Sequence, residues 1–248
     1  MKILISNDDG IFAPGIRALT EAFASAGHEV YVCAPDSQRS AASHSLSIGR
    51  TLTVRREEFG GAAEAYAIGG TPADCVKLGL TVLCPQAEAV VSGVNKGYNV
   101  GTDILYSGTV AAAMEGAICG RPALAVSQAA EREDYAQASA LAVSLFSKMT
   151  EHPLPPLSVL NVNYPDCDQP LGMKTAVMGQ LHYQENYVPV PMEDGTQAYC
   201  LRGEVDGQSR QSDDYEKLTA GYVTATVLSY DMTDAERTNC WKPLLEDE

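Results

Sequence analysis

The chain has 248 residues, 45% of them apolar, which suffices for one large α/β domain with a packed core. Its formal charge of −15 leaves no basic stripe to displace counterions, so binding of a nucleic-acid duplex over a broad surface is excluded. Seven scattered cysteines form no CxxC pair and no apolar run reaches the length of a membrane span; zinc ribbons, thioredoxin-like redox sites and helical membrane insertion drop out.

The start, Met1 to Ser6, turns polar after three apolar residues and forms no signal-peptide core, so a cytoplasmic protein with reduced thiols is expected. Lys2 to Ser6 predicts a buried strand that Asn7-Asp8-Asp9-Gly10 breaks with turn chemistry. Pro14 opens a helix with Ile16, Leu19 and Phe23 on one face, closed by Gly27, and Glu29 to Ala34 is a second strand. Pro35 to Gly70 reads as a loop plus short strands around Leu46 to Val54 and Ala65 to Ile68. Thr71-Pro72-Ala73-Asp74 is an N-cap, a first-turn proline and a first-turn acid, for a helix to about Leu83.

Ala87 to Ser92 predicts a strand, Gly93 to Ser107 a loop rich in Gly and Asn, and Thr109 to Cys119 a small-residue helix stopped by Gly120. Ala123 to Ser127 is a strand, Tyr135 to Met149 an amphipathic helix and Leu157 to Val162 a strand. This alternation predicts an α/β fold, a doubly wound and mostly parallel sheet with helices on both faces. After Pro165 helical periodicity fades. Residues 1–248 are read as one domain: a core of about 1–165 plus a late strand at about 220–230, and a β-ribbon arm at about 166–219 that finds its partner on the core or on another subunit.

Four segments could carry chemistry. Asp8 and Asp9 fall where the first strand ends, the edge at which open α/β sheets place ligands. Adjacent carboxylates repel, and a hard divalent cation would let both stay ionised, although a solvated turn also uses Asp and Asn. Asp36 to His44, after the second strand, offers the Ser40 hydroxyl, Arg39 and His44, or is simply a polar loop. Ser92 to Gly101 offers asparagines and backbone N–H groups, but it is neither a P-loop nor a GxGxxG turn. Tyr106-Ser107-Gly108-Thr109 opens a helix whose free N–H groups suit an anion, or Ser107 and Thr109 merely cap it. Glu115, farther along that helix, reads as structural. Acidic cation ligands and anion donors at one sheet edge together describe metal-assisted phosphoryl chemistry.

The stretches ISNDDGIFAPGI, APDSQRSAASHSL, GGTPADCV, VSGVNKGYNVGTDILYSGTVAAAMEG and LNVNYP together resemble the SurE family, the stationary-phase survival proteins, over nearly the whole chain. The resemblance implies a Rossmann-like core and a 5′-nucleotidase that releases phosphate from nucleoside monophosphates, with 3′-nucleotides and short polyphosphate as further substrates. It implies one Mg²⁺ or Mn²⁺ per subunit held by Asp8, Asp9, Ser40 and Asn95. Asn99, Ser107, Gly108 and Thr109 would hold the phosphate, with Asp8 or Asp9 steering the attacking water. A homodimer or homotetramer through the C-terminal arm is also implied. The second motif departs from the family's pattern, with Ser37-Gln38 where Arg-Asn is usual and Ala41 where Gly is usual.

Two other classes fit the residues less fully. A paired-Asp metal site also serves nucleotide-sugar glycosyltransferases, which would need an acceptor sugar. A non-catalytic nucleotide-binding or assembly protein would bind without turnover. Tyr98, Tyr106 or Tyr183 could stack on a base, with packing the plainer reading of each.

Overall fold

The computed structural model describes residues 1–181, 183–206 and 213–245; positions 207–212 of the expected arm lie outside the described residues. The parallel core consists of β1 (Lys2–Ser6), β2 (Glu29–Pro35), β4 (Ala62–Ile68), β5 (Ala89–Lys96), β6 (Ala123–Gln128) and β7 (Ser158–Tyr164). β3 (Val54–Glu57) lies antiparallel at one edge. β11 (Val223–Ser229) pairs antiparallel with β7, and β8 (Met173–Thr175) pairs parallel with β11. The order β3-β4-β2-β1-β5-β6-β7-β11-β8 makes one nine-stranded sheet.

Period-two alternation decides which core each strand feeds. Ile3 and Ile5 of β1 pack with Ile16, Leu19 and Phe23 of α1 (Pro14–Ser25) and with Phe146 of α4 (Ala136–Glu151). Leu4, between them, faces the other way onto Cys75 and Val76 of α2 (Pro72–Leu78) and Ala112 of α3 (Gly108–Ile118). Both faces are therefore covered, which is why β1 reads as a continuous apolar run rather than an alternating one. The expected doubly wound architecture is the observed one.

Several boundaries differ from the sequence reading. No strand forms from Leu46 to Thr53; that stretch folds as turns held by side-chain bonds, among them Asp74 Oδ1 accepting from the Ser47 N–H at 2.9 Å. The helix expected to reach Leu83 ends at Leu78 and widens into a π-helical turn, Gly79–Leu83. β5 runs four residues past Ser92, so Asn95 sits at a strand end rather than inside a loop. α5 (Asp213–Thr219) and α6 (Ala235–Leu245) escape the apolar pattern: α5 buries only Asp214 and Leu218, α6 nothing. β9 (Tyr183–Val190) and β10 (Ala198–Val205) form a separate two-stranded antiparallel ribbon. No helix among the described residues is long and apolar enough to cross a membrane.

β1 lies between β2 and β5, so the chain leaves it in one direction and returns on the other side. The crevice at the carboxyl ends of β1, β2 and β5 is the topological switch point. A cavity of about 570 Å³ lined by Met1, Arg121, Leu154 and Leu157 lies at the opposite, amino ends of the strands.

Candidate metal and phosphate site

Asn7 is fully buried and its Nδ2 donates to the Gly10 carbonyl at 2.9 Å, closing the turn that follows β1. Gly10 adopts φ +96°, and a Cβ there would stand 3.2 Å from the Ser37 carbonyl carbon. The turn thereby presses the Asp8–Asp9 pair against the loop after β2, where the Arg39 N–H donates to the Asp8 carbonyl at 2.7 Å.

Asp8 is buried at the start of α3. The Thr109 hydroxyl donates to its Oδ1 through a short bond, and the Thr109 backbone N–H also faces the carboxylate. A Cβ on Gly108 would come 2.7 Å from Asp8 Cβ and 2.9 Å from its Oδ2, so only glycine lets helix and carboxylate meet. Burial pushes the Asp8 carboxyl up to about 6; the Thr109 hydroxyl opposes the shift and the Asp9 charge adds to it. The Asp9 carboxyl is also raised, by burial first, against the Lys96 N–H that donates to its Oδ2 at 3.2 Å.

Gln38 joins the second loop to the pair. Its Nε2 donates to Ser40 Oγ at 2.9 Å and lies 3.5 Å from Asp9 Oδ1. Asn95, at the end of β5, donates its Nδ2 to the Gly97 carbonyl at 2.8 Å, which leaves Oδ1 as an acceptor. Asn99 is held on all sides: its N–H donates to Asn163 Oδ1 at 2.8 Å, and its carbonyl accepts from Asn161 and Asn163 at 2.9 and 3.0 Å. Its Nδ2 donates to Ser127 Oγ at 2.8 Å. Ser107 caps α3 by accepting from the Val110 N–H at 3.1 Å.

His44 and Glu115 stand apart from this centre. His44 Nε2 meets Glu115 Oε2 at 2.9 Å and Lys77 Nζ meets Oε1 at 2.6 Å; His44 first, then Lys77, holds the Glu115 carboxyl below the usual range. Glu115 is thus buried between two ion-pair partners, one of them His44. Ser43 ties the same loop to the turn before α3, its N–H donating to the Tyr106 carbonyl at 3.1 Å and its hydroxyl to the Leu105 carbonyl at 2.7 Å.

The family model for Survival protein SurE matches residues 3–185. The chain belongs to the SurE family. A SurE-family relative from Clostridium beijerinckii, named 5′-nucleotidase SurE, is 42% identical over 94% of this chain and 95% of its own length. One of the same name from Aeromonas hydrophila is 43% identical over 94% of each chain. The crystal structure of the SurE protein from Aquifex aeolicus superposes with a TM-score of 0.83 at 36% identity, covering 99% of this chain and 100% of that one.

Within this SurE-family fold the donor set fits a hard cation. Two carboxylates, a hydroxyl and an amide oxygen are all oxygen ligands, and no group of three or more His, Cys, Asp and Glu among the described residues offers a softer alternative. Both carboxylates are raised by burial, and the group bridging toward them from the second loop is the neutral amide of Gln38. A divalent ion would offset that cost.

Sequence reasoning missed Gln38 as a bridge, the Ser127–Asn161–Asn163 cradle under Asn99, and Asp214. The alternation Asn161-Val162-Asn163 carried a signal, since two buried amides on one strand face need partners. Asp214 carried none: its Oδ2 accepts from the Gly101 N–H at 2.7 Å across 113 residues of chain.

Proposed function

We propose that the protein is a metal-dependent 5′-nucleotidase, hydrolysing nucleoside 5′-monophosphates to nucleoside and inorganic phosphate, with Mg²⁺ or Mn²⁺ held by Asp8, Asp9, Ser40 and Asn95. The observation that carries the reading is the Asp8–Asp9 pair at the switch point, both carboxyls raised in pKa, with Asp8 buried against the N-terminus of a helix and Asp9 half-buried beside it. Curated relatives of this name at 40–43% identity over nearly the whole chain support the same activity.

The cation, when bound, supplies Lewis acidity at a phosphoryl oxygen and lowers the pKa of a water. Asp9 is held on one oxygen by the Lys96 N–H and approached on the other by the Gln38 amide. Asp8 presently occupies the donors at the start of α3; drawing its charge toward a cation would release the Thr109 hydroxyl and N–H for phosphate oxygens. Ser107 and Gly108 complete that helix start, and Gly108 keeps it open to a close approach. Asn99 would meet the phosphate from the neighbouring loop, rigid because three side chains hold it. The subunit would act as a homodimer or homotetramer through the β9–β10 arm, in the cytoplasm.

Phosphate release from 5′- and 3′-monophosphates and from tripolyphosphate, with Mg²⁺, Mn²⁺ or chelator, tests the reading. Turnover of 5′-monophosphates that disappears in chelator and in Asp9→Ala is expected; full activity of Asp9→Ala in chelator would overturn it.

A further inference from the structure

We propose that Tyr106 is the platform on which the nucleobase stacks, so that it sets the enzyme's preference for a base-bearing phosphate ester over a bare sugar phosphate. The inference deepens the nucleotidase reading and rests on it.

The structure separates the three tyrosines that the sequence offers for stacking on a base. Tyr98 is partly buried against Val100, Leu181 and Leu218, and burial raises its hydroxyl to about 12. Tyr183 packs in the same cluster and its hydroxyl donates to Asp103. Tyr106 is 63% exposed, against the packing expected from sequence, and its hydroxyl has no hydrogen-bond partner among the described residues. A tyrosine with neither a packed ring nor a bonded hydroxyl is an open aromatic face.

Its backbone, by contrast, is pinned. The Tyr106 N–H donates to the Asp103 carbonyl at 3.0 Å, closing the 3-10 turn Gly101–Leu105, and its carbonyl accepts from Ser43 at 3.1 Å. The residue after it, Ser107, is the buried cap of α3, and Thr109 two further on touches Asp8. The ring thus stands at the rim of the proposed phosphate site, projected from a rigid turn that joins two of its loops. Little ordering of the backbone remains to be done when a base settles on it. Stacking needs only a π-face and tolerates any base. Phe12 is also an exposed aromatic at this rim, 53% exposed on the turn after Asp9, while Phe23 and Phe146 are fully buried.

The test compares kcat/KM for AMP, UMP and ribose 5-phosphate in the wild-type holoenzyme, Tyr106→Phe, Tyr106→Leu, Tyr106→Ala and Phe12→Ala. The readout is the ratio of nucleotide to ribose 5-phosphate, which a loss of folded enzyme does not move. In Tyr106→Ala the AMP ratio is expected to fall about thirtyfold, the middle of the range for stacking a base on an aromatic ring. The fall should be smaller for UMP, whose ring is smaller, and absent in Tyr106→Phe. An unchanged ratio in Tyr106→Ala overturns the proposal, as does a fall seen only in Phe12→Ala. Loss of all activity in both Tyr106→Leu and Tyr106→Ala would make the residue structural and equally overturn it. A wild-type enzyme that hydrolyses none of the three esters would instead overturn the nucleotidase reading.

Discussion

Asp8 keeps a carboxylate where burial opposes its charge, and the cost has a definite sign. Its folded pKa of about 6 stands above the ordinary value of 3.8, so the native state binds the proton more tightly than the unfolded chain does. Stability is therefore lost as pH rises from 3.8 through about 6, reaching about 3 kcal/mol at about 1.36 kcal/mol per unit. Asp8→Asn keeps an acceptor at Oδ1 for Thr109 and removes the charge. In chelator it should stabilise the protein toward urea by up to about 3 kcal/mol at pH 7.5 and by little near pH 4, while abolishing activity. Added Mn²⁺ should stabilise the wild type and not the variant. Equal urea midpoints for the two proteins at pH 7.5 would contradict the assignment. Two adjacent acids after a strand marked this segment in the sequence as a candidate cation site, with a solvated turn as the alternative. The Gln38 bridge was not legible there, because an amide in a polar loop announces no partner.

At the scale of elements, strands and helices of the alternating core follow from apolar period alone, and their caps from single residues such as Thr71, whose hydroxyl accepts from the Asp74 N–H at 3.1 Å. The ribbon of β9 and β10 is different. A two-stranded ribbon on its own is marginal in water. Tyr187 faces Leu201 across the ladder and both are largely exposed, as are Val190 and Tyr199. The proposed assembly through this arm would cover those side chains. Replacing both Tyr187 and Leu201 by Asp should lower the sedimentation mass at micromolar concentration while far-UV circular dichroism stays that of the folded core. A mass unchanged from wild type would remove the arm from the assembly. Sequence could place this ribbon only as alternation after Pro165. It could not find α5 or α6, because neither carries an apolar stripe.

For the whole molecule, distant segments meet at the loop from Tyr98 to Leu105. Asp214 accepts from the Gly101 N–H at 2.7 Å and, through Oδ1, from Tyr215 at 2.9 Å, so α5 clamps the turn that leads to Ser107. Thr102 adds a bond from its hydroxyl to the Leu181 carbonyl at 3.2 Å. Asp214→Asn offers a donor where one of these N–H groups needs an acceptor. It should cost about 1–2 kcal/mol of stability, and amide exchange at Gly101 should quicken while exchange in β1 stays slow. Unaltered exchange at Gly101 would refute the clamp. Local pattern was enough to specify the alternating core, the acid pair at the end of β1 and the helix that starts at Gly108, because period, turn chemistry and capping each need only a few neighbouring residues. It took the folded chain to bring Thr109 to Asp8, Asn161 and Asn163 under Asn99, and Asp214 to Gly101. Those contacts join residues roughly 60 to more than 100 positions apart, and the need of buried polar groups for a partner, whose identity no local pattern records, is what makes each of them necessary.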